Sequence, residues 1–391
     1  MTQIPNIIIN YCLPNLIQFG VGAIANLSEH LQRLGAKKPL IVTDGGLLKA
    51  GIVARVTKSL DDAGIGYVIF DGVQPNPTDH NIYDGLAMYR DADCDMVIGF
   101  GGGSAMDAAK AIRVMTSYNG SLEGYYSDVG GAGKITPNMP KSILIATTAG
   151  TGSEVSRGAI ITDTKQNRKR SVASPHLFPD VALLDPDLTV SMPPKLTAST
   201  GMDALSHSVE AYVGKLYHPI AEGIALKAIK MVGENLRTVV EHGDDLNARG
   251  EMLLASNMGA LAFQKGLGAV HSLAHQLSTE ADIPHGIANA IMMPPVMKFN
   301  LEYAPKGYAD IATALGVDTS SMSFDEAANA AIVAVGQLSQ DVGIPQSLSA
   351  LGLQRDSLSN MAKNAMLDHC YRSNPRPCTE EDMLRLYEEA F

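Results

Sequence analysis

Three of the ten histidines fall within one short stretch of the sequence. His271 and His275 are spaced so that a helix would place both side chains on one face. His285 stands between Pro284 and Gly286, a sequence typical of a turn that leads into a new helix. Imidazole nitrogens are common ligands of divalent transition metals. The grouping therefore favours a chemical site over a set of unrelated histidines.

A second helical pair precedes this stretch. Asp203 and His207 have the same spacing as His271 and His275. With His271 and His285 they would supply one carboxylate and three imidazoles, which suits a divalent transition metal. No glutamate lies between His271 and His275, so the general base of the His-Glu-x-x-His zinc proteases is missing. The spacing predicts a metal site and does not predict metal-dependent proteolysis.

Composition restricts the class of protein. A chain of 391 residues with 46% hydrophobic content predicts two domains with sizeable cores. A formal net charge of −11 argues against nucleic acid or an anionic membrane as the main partner. No apolar run is long enough to span a bilayer, no secretory signal is visible, and the four cysteines lack metal or redox spacing. These features predict a cytoplasmic protein that acts on a small molecule.

Strand and helix patterns alternate over the first half of the chain. Strands are predicted at 7–10, 39–43, 67–70, 95–100, 142–146 and 181–184, and a hairpin at 159–162 and 171–173. Helices are predicted at 22–34, from about 47 to 63, at 79–91 and at 105–115. This alternation predicts a parallel sheet covered on both faces. Helical patterns alone continue beyond Asp187. We therefore expect an α/β dinucleotide-binding domain over 1–190 and an all-α domain over 191–391.

Two glycine-rich loops follow predicted strands, one at 101–104 and the other at 147–154. A strand, a glycine run and a helix in succession expose backbone N–H groups at a positive helix end, which suits a pyrophosphate. Ligands of open parallel sheets bind at the carboxyl ends of the strands. Two such loops favour a dinucleotide site over two ordinary tight turns.

Asp44 follows an early predicted strand and permits two interpretations. Its carboxylate could accept hydrogen bonds from a ribose diol and would repel a 2′-phosphate, which favours NAD over NADP. The same side chain could instead cap the next helix. The order also differs from the usual Gly-x-Gly-x-x-Gly fingerprint, in which the acid follows the glycines.

Together these motifs resemble the iron-dependent (group III) alcohol dehydrogenases. The resemblance rests on GGGSxxDxxK at 101–110, TTAGTGSE at 147–154, DxxxH at 203–207, HxxxH at 271–275 and PHG at 284–286. PNP at 75–77 and NPR at 374–376 also fit, so the resemblance spans nearly the whole chain. It implies an active site in a cleft between the two domains. It further implies a homodimer or larger homo-oligomer in which the first strand takes part.

The resemblance also implies roles for individual residues. The residues that correspond to the metal ligands are Asp203, His207, His271 and His285. The expected metal is Fe(II), with Zn(II) as the alternative. His275 corresponds to a histidine implicated in catalysis. The implied NAD positions are Asp44, Asn76, Gly101, Gly102, Gly103, Ser104, Asp107, Thr147, Thr148, Thr151 and Lys169.

The expected reaction is hydride transfer between NAD(H) and a short primary alcohol or its aldehyde. The metal would act as a Lewis acid, and His275 would relay the proton. One alternative is a reductase of an anionic aldehyde such as sulfoacetaldehyde or succinic semialdehyde, for which Arg157 and Lys265 are candidate contacts. Another is a lyase of the dehydroquinate synthase type, which uses NAD transiently. Helices rich in methionine and alanine favour the oxidoreductase, because the lyase needs a polar, basic pocket.

Overall fold

The structure is a computed structural model that describes residues 9–14 and 16–391. The chain divides into two compact units. The sheet unit contains Cys12–Thr148 and Gly152–Ser191. The helical unit contains Met192–Phe391, Ala149–Thr151 and, at the start of the described chain, residues 9–11.

The sheet unit is built on parallel strands. Its strands are β1 Ile17–Phe19, β2 Pro39–Val42, β3 Val68–Phe70, β4 Met96–Gly101, β5 Lys141–Ala146, β6 Gly158–Asp163, β7 Arg168–Ala173 and β8 Val181–Leu184. Among the described residues, six strands form a parallel sheet in the order β1-β8-β5-β4-β2-β3. Strands β6 and β7 form a separate antiparallel hairpin. The parallel sheet and the hairpin agree with the sequence prediction.

Helices connect and cover these strands. They are α1 Leu27–Leu34, α2 Gly45–Lys49, α3 Val53–Asp62, α4 Asp79–Asp91 and α5 Gly103–Ser117. Strands β2, β4 and β8 are buried along their whole length, which explains their unbroken apolar sequences. Leu31 of α1 and Leu60 of α3 belong to the core cluster that also contains Ile98 of β4. Burying both sheet faces in this way fixes where the strands end, and so where the loops that follow them lie.

Two local expectations differ from the structure. The strand predicted at 7–10 falls partly on residues 7 and 8, outside the described residues, while residues 9 and 10 have no regular structure. The first sheet strand is β1, which the polar Gln18 interrupts. The helix predicted up to residue 63 is two helices, because Gly51 adopts a left-handed φ of 74° just after α2.

The helical unit consists of packed helices. They are α6 Pro194–Val213, α7 Pro219–Glu241, α8 Leu246–Ala262, α9 Ala269–Glu280, α10 His285–Asn300, α11 Pro305–Ala314, α12 Phe324–Asp341, α13 Leu358–Ala365 and α14 Glu380–Glu389. Helix α6 packs against α7, α8 and α10, and α9 packs against α10 and α13. Most residues of α6 are buried, which explains why its small and apolar residues show no single face. No helix among the described residues combines the length and hydropathy needed to cross a membrane.

Candidate active site

Three helices of the helical unit bring four side chains together. Helix α6 supplies Asp203 and His207, α9 supplies His271, and α10 supplies His285. The Oδ1 atom of Asp203 lies 3.8 Å from Nε2 of His207, 3.9 Å from Nε2 of His271 and 3.5 Å from Nε2 of His285. One donor atom from each residue lies within 4.8 Å of the others. These separations fit four donors about 2.1 Å from one ion.

The position of His285 depends on the start of α10. Pro284 precedes the helix and His285 is its first residue. A side chain at Gly286 would place its Cβ 2.0 Å from the carbonyl oxygen of Ser199 and 3.4 Å from Cβ of Asp203. Only glycine therefore allows α10 to begin against α6. The Pro-His-Gly sequence sets His285 beside Asp203.

Glu210, which sequence analysis did not single out, holds His271 in place. It lies one turn beyond His207 on α6 and is buried. Its Oε1 accepts a hydrogen bond of 2.7 Å from the backbone N–H of Val270, and its Oε2 lies 2.5 Å from Nδ1 of His271. An ionised carboxylate only accepts, so Nδ1 carries the hydrogen and Nε2 keeps a lone pair. This carboxylate–histidine pair is the usual support of a metal-binding imidazole.

The two most buried histidines have opposite pKa shifts. Burial lowers the pKa of His207 to about 4, although Asp203 opposes the shift. Burial also lowers the pKa of His271, but the Glu210 carboxylate outweighs it, so this pKa is raised. His207 is therefore neutral at pH 7, whereas the Glu210 carboxylate makes the His271 imidazole more basic. A histidine that binds a metal must be neutral.

His275 lies beside the four donors and has its own carboxylate partner. Its ring stacks on that of His285 at 5.3 Å between centroids. Its Nδ1 donates to Oδ2 of Asp368 at 2.7 Å, and Oδ1 of Asp368 accepts from the backbone N–H of Cys370 at 2.8 Å. Burial raises the pKa of Asp368, but the His275 interaction and the hydrogen bonds outweigh it and hold the pKa well below its usual value. Nε2 of His275 therefore keeps a lone pair that can accept a proton.

The carboxyl edge of the parallel sheet carries the predicted nucleotide loops. The chain runs outward from β2 to β3 and then returns to β4 on the other side of β2. Open parallel sheets bind ligands at such a reversal. Asp44 follows β2, Gly101 ends β4, and Thr147 follows β5, so all three lie at this edge. The backbone N–H of Thr147 donates to the carbonyl of Gly101 at 3.0 Å, which joins the two glycine-rich loops.

The first glycine loop opens the long helix α5. Gly101 has a φ of 151°, and a Cβ there would lie 2.8 Å from Cβ of Ala105. Gly102 is the N-cap, and Gly103 and Ser104 begin the helix. The first N–H groups of a helix have no partners within that helix, and such a helix end suits an anion. The loop therefore has the features that the sequence predicted for a pyrophosphate site.

Asp44 caps a helix, as one of the two interpretations of its sequence position expects. Its Oδ1 accepts hydrogen bonds of 2.9 Å from Gly46 N–H and 3.0 Å from Leu47 N–H, so it caps α2. Its Oδ2 has no hydrogen bond within the described part of the chain and faces Gly101, 3.7 Å from where a Cβ would be. One carboxylate oxygen is thus occupied, while the other remains available to a ribose hydroxyl.

Asp107 is engaged by the protein itself. Its Oδ1 accepts from Oγ of Ser153 at 2.5 Å and pairs with Nζ of Lys110 at 3.0 Å. Its Oδ2 accepts from the backbone N–H of Ile160 at 2.8 Å. Both oxygens therefore tie α5 to the end of the second glycine loop and to β6. This arrangement favours an indirect role over contact with a nucleotide.

The remaining predicted positions lie on separate elements. Asn76 is exposed after β3 with a left-handed φ of 56°, and Lys169 is half-buried on β7. Thr148 follows Thr147 in the sheet unit, whereas Thr151 belongs to the helical unit. Their contact with a cofactor stays a prediction.

The two candidate anion contacts differ in accessibility. Lys265 is buried, and its Nζ donates to the carbonyl of Tyr212 at 2.8 Å and pairs with Glu222 at 2.9 Å. Its charge is already neutralised, which does not favour a role toward an anionic substrate. Arg157 is exposed in the sheet unit.

Comparison with known proteins identifies the family. The model described as iron-containing alcohol dehydrogenase matches residues 14–186, and that of the C-terminal part of the Fe-containing alcohol dehydrogenase family matches residues 197–391. The 1,3-propanediol dehydrogenase of Citrobacter freundii is 41% identical over 98% of both chains. The NAD-dependent methanol dehydrogenase of Bacillus methanolicus is 38% identical over 97% of this chain and 99% of its own.

Solved structures agree with these sequence comparisons. A crystal structure of 1,3-propanediol oxidoreductase matches with a TM-score of 0.95 and 41% identity, over 98% of this chain and 100% of the other. The chain belongs to the iron-containing alcohol dehydrogenase family and is an oxidoreductase. The resemblance inferred from the sequence is confirmed, and the lyase alternative is not better supported than the oxidoreductase.

Proposed function

We propose that the chain transfers a hydride between NAD(H) and a short primary alcohol or its aldehyde, with one divalent metal held by Asp203, His207, His271 and His285. The observation that carries this proposal is the convergence of three imidazole nitrogens on one buried carboxylate oxygen. When bound, the metal supplies Lewis-acid polarisation of the substrate oxygen. Fe(II) is the first choice because the family is described as iron-containing. Zn(II) is the second, because it accepts the same nitrogen and oxygen ligands.

The protein's own residues divide the remaining work. Glu210 accepts the hydrogen of Nδ1 and so directs the lone pair of the neutral His271 ring to Nε2. His275 receives the alcohol proton on Nε2 during oxidation and returns it during reduction. Asp368 orients this ring and stabilises the imidazolium through Nδ1.

We infer that the sheet unit binds NAD. The pyrophosphate would lie at the N-terminus of α5, and Oδ2 of Asp44 would accept a hydrogen bond from the adenosine ribose. The joined loops at Gly101 and Thr147 support this placement. NAD is preferred over NADP because a carboxylate repels a 2′-phosphate. The relative named an NAD-dependent methanol dehydrogenase supports the same choice.

The substrate proposed is small and neutral. Glu210 and Asp368 are acidic neighbours of the histidine cluster, and a further negative group on the substrate would be repelled. Two relatives are named for 1,3-propanediol and methanol, which are short neutral alcohols. The anionic-aldehyde alternative now depends on Arg157, since Lys265 is paired with Glu222.

A substrate panel tests this proposal. Steady-state rates with NADH are measured on propanal, sulfoacetaldehyde and succinic semialdehyde, and with NAD on 1,3-propanediol and methanol. We expect the neutral compounds to have the higher kcat/KM. A higher kcat/KM for either anion that falls selectively in Arg157→Ala would support the alternative. Absence of turnover in a metal-loaded protein with every compound would contradict the substrate class proposed.

We also propose a homodimer formed through the edge of the parallel sheet. Strand β1 is an edge strand, and Leu13, Leu16, Phe19 and Val21 near it are 52%, 37%, 43% and 61% exposed. An open edge with apolar side chains is suited to pairing with a second chain. Light scattering after size exclusion should give twice the chain mass. Phe19→Lys should shift the measured mass toward that of the monomer. The control is Tyr303→Lys, at a residue that is 55% exposed, which should leave the mass unchanged.

A further inference from the structure

The Asn-Pro-Arg sequence at 374–376 begins with a buried amide that is hydrogen-bonded at both ends. Oδ1 of Asn374 accepts from the backbone N–H of Ala269 at 3.2 Å and from Nδ2 of Asn300 at 3.0 Å. Its Nδ2 donates to Oδ1 of Asn300 at 2.7 Å and to the carbonyl of Arg376 at 2.7 Å. One end thus faces a backbone donor and the other a backbone acceptor, which fixes the orientation of the amide.

Helix α9 begins after Gly268, which has no side chain to cap it, so its first N–H groups need other acceptors. Asn374 supplies the acceptor for Ala269, the first residue of the helix. The next N–H group, that of Val270, donates to Glu210. A Cβ at Gly268 would lie 2.7 Å from Oε1 of Glu210 and 3.0 Å from Oδ1 of Asn374. Glycine is required there because side chains from two other segments occupy the cap position.

The two acceptors connect α9 to the other two helices of the candidate metal site. Glu210 belongs to α6, which carries two of the proposed ligands. Asn374 pairs with Asn300, the last residue of α10, and α10 begins with the proposed ligand His285. Both acceptors meet α9 in its first turn, which contains His271. Hydrogen bonds at this helix end therefore join the three helices that carry the proposed ligands.

Arg376 attaches the same segment to α10. Its Nη1 donates to the carbonyl of Phe299 at 3.0 Å, and its guanidinium carbon lies 4.1 Å from the centroid of the Phe299 ring. Phe299 precedes Asn300, so both ends of the Asn-Pro-Arg sequence contact the last turn of α10. Pro375 between them has a restricted φ, which limits the freedom of the segment. These contacts hold Asn374 in a fixed place relative to α10.

We propose that Asn374 is a positioning residue of the active site. It acts through the backbone of α9, whose first turn it holds so that His271 faces the other proposed ligands and His275 lies beside them. Removal of the outer hydrogen bonds that support metal ligands typically lowers metal affinity tenfold to a hundredfold. The inference rests on the proposed metal site. It adds a support that acts on a whole helix, whereas Glu210 also acts directly on an imidazole.

Two variants test this role. Asn374→Leu keeps the bulk of the side chain and removes its hydrogen bonds, whereas Asn300→Leu removes one partner and leaves the bond to Ala269. The probe is Co(II) added to metal-free protein, and its affinity is measured by competition with a chelator. We expect the affinity to fall about tenfold in Asn374→Leu and by less in Asn300→Leu. NADH affinity should equal that of the parent, because the glycine-rich loops are unaltered.

A role in stability alone would give a different result. Val335→Ala, in the buried face of α12, is the control that lowers the melting temperature without touching α9. Unchanged Co(II) affinity in Asn374→Leu, or an equal loss in Val335→Ala, would overturn the inference and leave the metal site intact. A parent protein that binds no Co(II) would refute the metal site itself. If Asn374→Leu does not fold, Asn374→Ser serves instead, because the serine hydroxyl is one bond shorter than the amide.

Discussion

The two candidate sites are built from different parts of the polypeptide. The candidate metal site in the helical unit consists of side chains, and Glu210 orients one of them, His271. The nucleotide edge in the sheet unit is built from backbone, with glycines where strands end and a helix begins. Removal of a donor atom should therefore weaken metal binding, whereas addition of a side chain to a glycine should weaken nucleotide binding. The following substitutions test that contrast separately in each unit.

Removal of a metal ligand should have the largest effect. We expect His285→Ala to lose most bound metal and on the order of a thousandfold or more in kcat, because Lewis-acid stabilisation is lost. NADH affinity should remain near that of the parent. Metal content by mass spectrometry and NADH binding by fluorescence check both expectations. Full metal occupancy in the variant would exclude His285 as a ligand.

Addition of a side chain to the glycine loop should have the converse effect. Gly102→Val places methyl groups at the N-cap of α5, where Cβ alone would be 3.3 Å from Cγ2 of Thr148. We expect NADH binding to weaken about a hundredfold, since the N–H groups can no longer approach a phosphate, with metal content unchanged. Gly133→Val is the control, because nothing lies within 4 Å of a Cβ at that glycine. Equal losses in the two variants would point to general destabilisation.

Loss of support for a ligand should cost less than loss of the ligand. Glu210→Gln keeps the shape of the side chain but removes its charge. Its single amide oxygen cannot replace the two carboxylate oxygens that accept from Val270 and His271. We expect metal affinity to fall about tenfold to a hundredfold, measured by competition with a chelator. Glu222→Gln, which alters the glutamate paired with Lys265, should leave metal affinity unchanged. An unaltered affinity in Glu210→Gln would mean that His271 needs no such partner.

Specificity between cofactors should change by no more than metal affinity does in Glu210→Gln. Asp44→Ser keeps a capping oxygen for α2 and removes the charge that faces the ribose. We expect the ratio of kcat/KM for NADP to that for NAD to rise roughly tenfold to a hundredfold. Asp44→Gly should change the ratio similarly and lower the melting temperature, because it also removes the cap. A constant ratio in both variants would leave Asp44 with the capping role alone.

The sequence predicted what depends on local spacing. The pairs Asp203 with His207 and His271 with His275, and the turn around His285, are local patterns that helices convert directly into position. Unbroken apolar runs likewise predicted most of the buried parallel strands. The short strand β1 escaped detection because Gln18 interrupts its apolar pattern.

Residues that act through tertiary contacts were missed. Three such residues at the site are Glu210 of α6, Asn289 of α10 and Asp368 after α13. The Nδ2 atom of Asn289 lies 2.7 Å from Oδ1 of Asp203. Because they come from different parts of the chain, no local motif marks them. Weak signals existed, since Glu210 continues the helical face of Asp203 and His207, and Asn289 is one turn from His285. Asp107 shows the converse. Its position in the glycine-rich motif implied an NAD contact, but did not reveal that Ser153 and Ile160 donate hydrogen bonds to its two carboxylate oxygens.

Metal stoichiometry tests the central claim most directly. The parent protein is stripped with a chelator, and Fe(II) or Zn(II) is added back anaerobically in measured equivalents while NADH-dependent turnover is followed. We predict that the stripped protein still binds NADH but is inactive, and that activity rises linearly to a maximum at one metal per chain. Full turnover by protein that retains no metal, or full recovery in His285→Ala, would contradict the account.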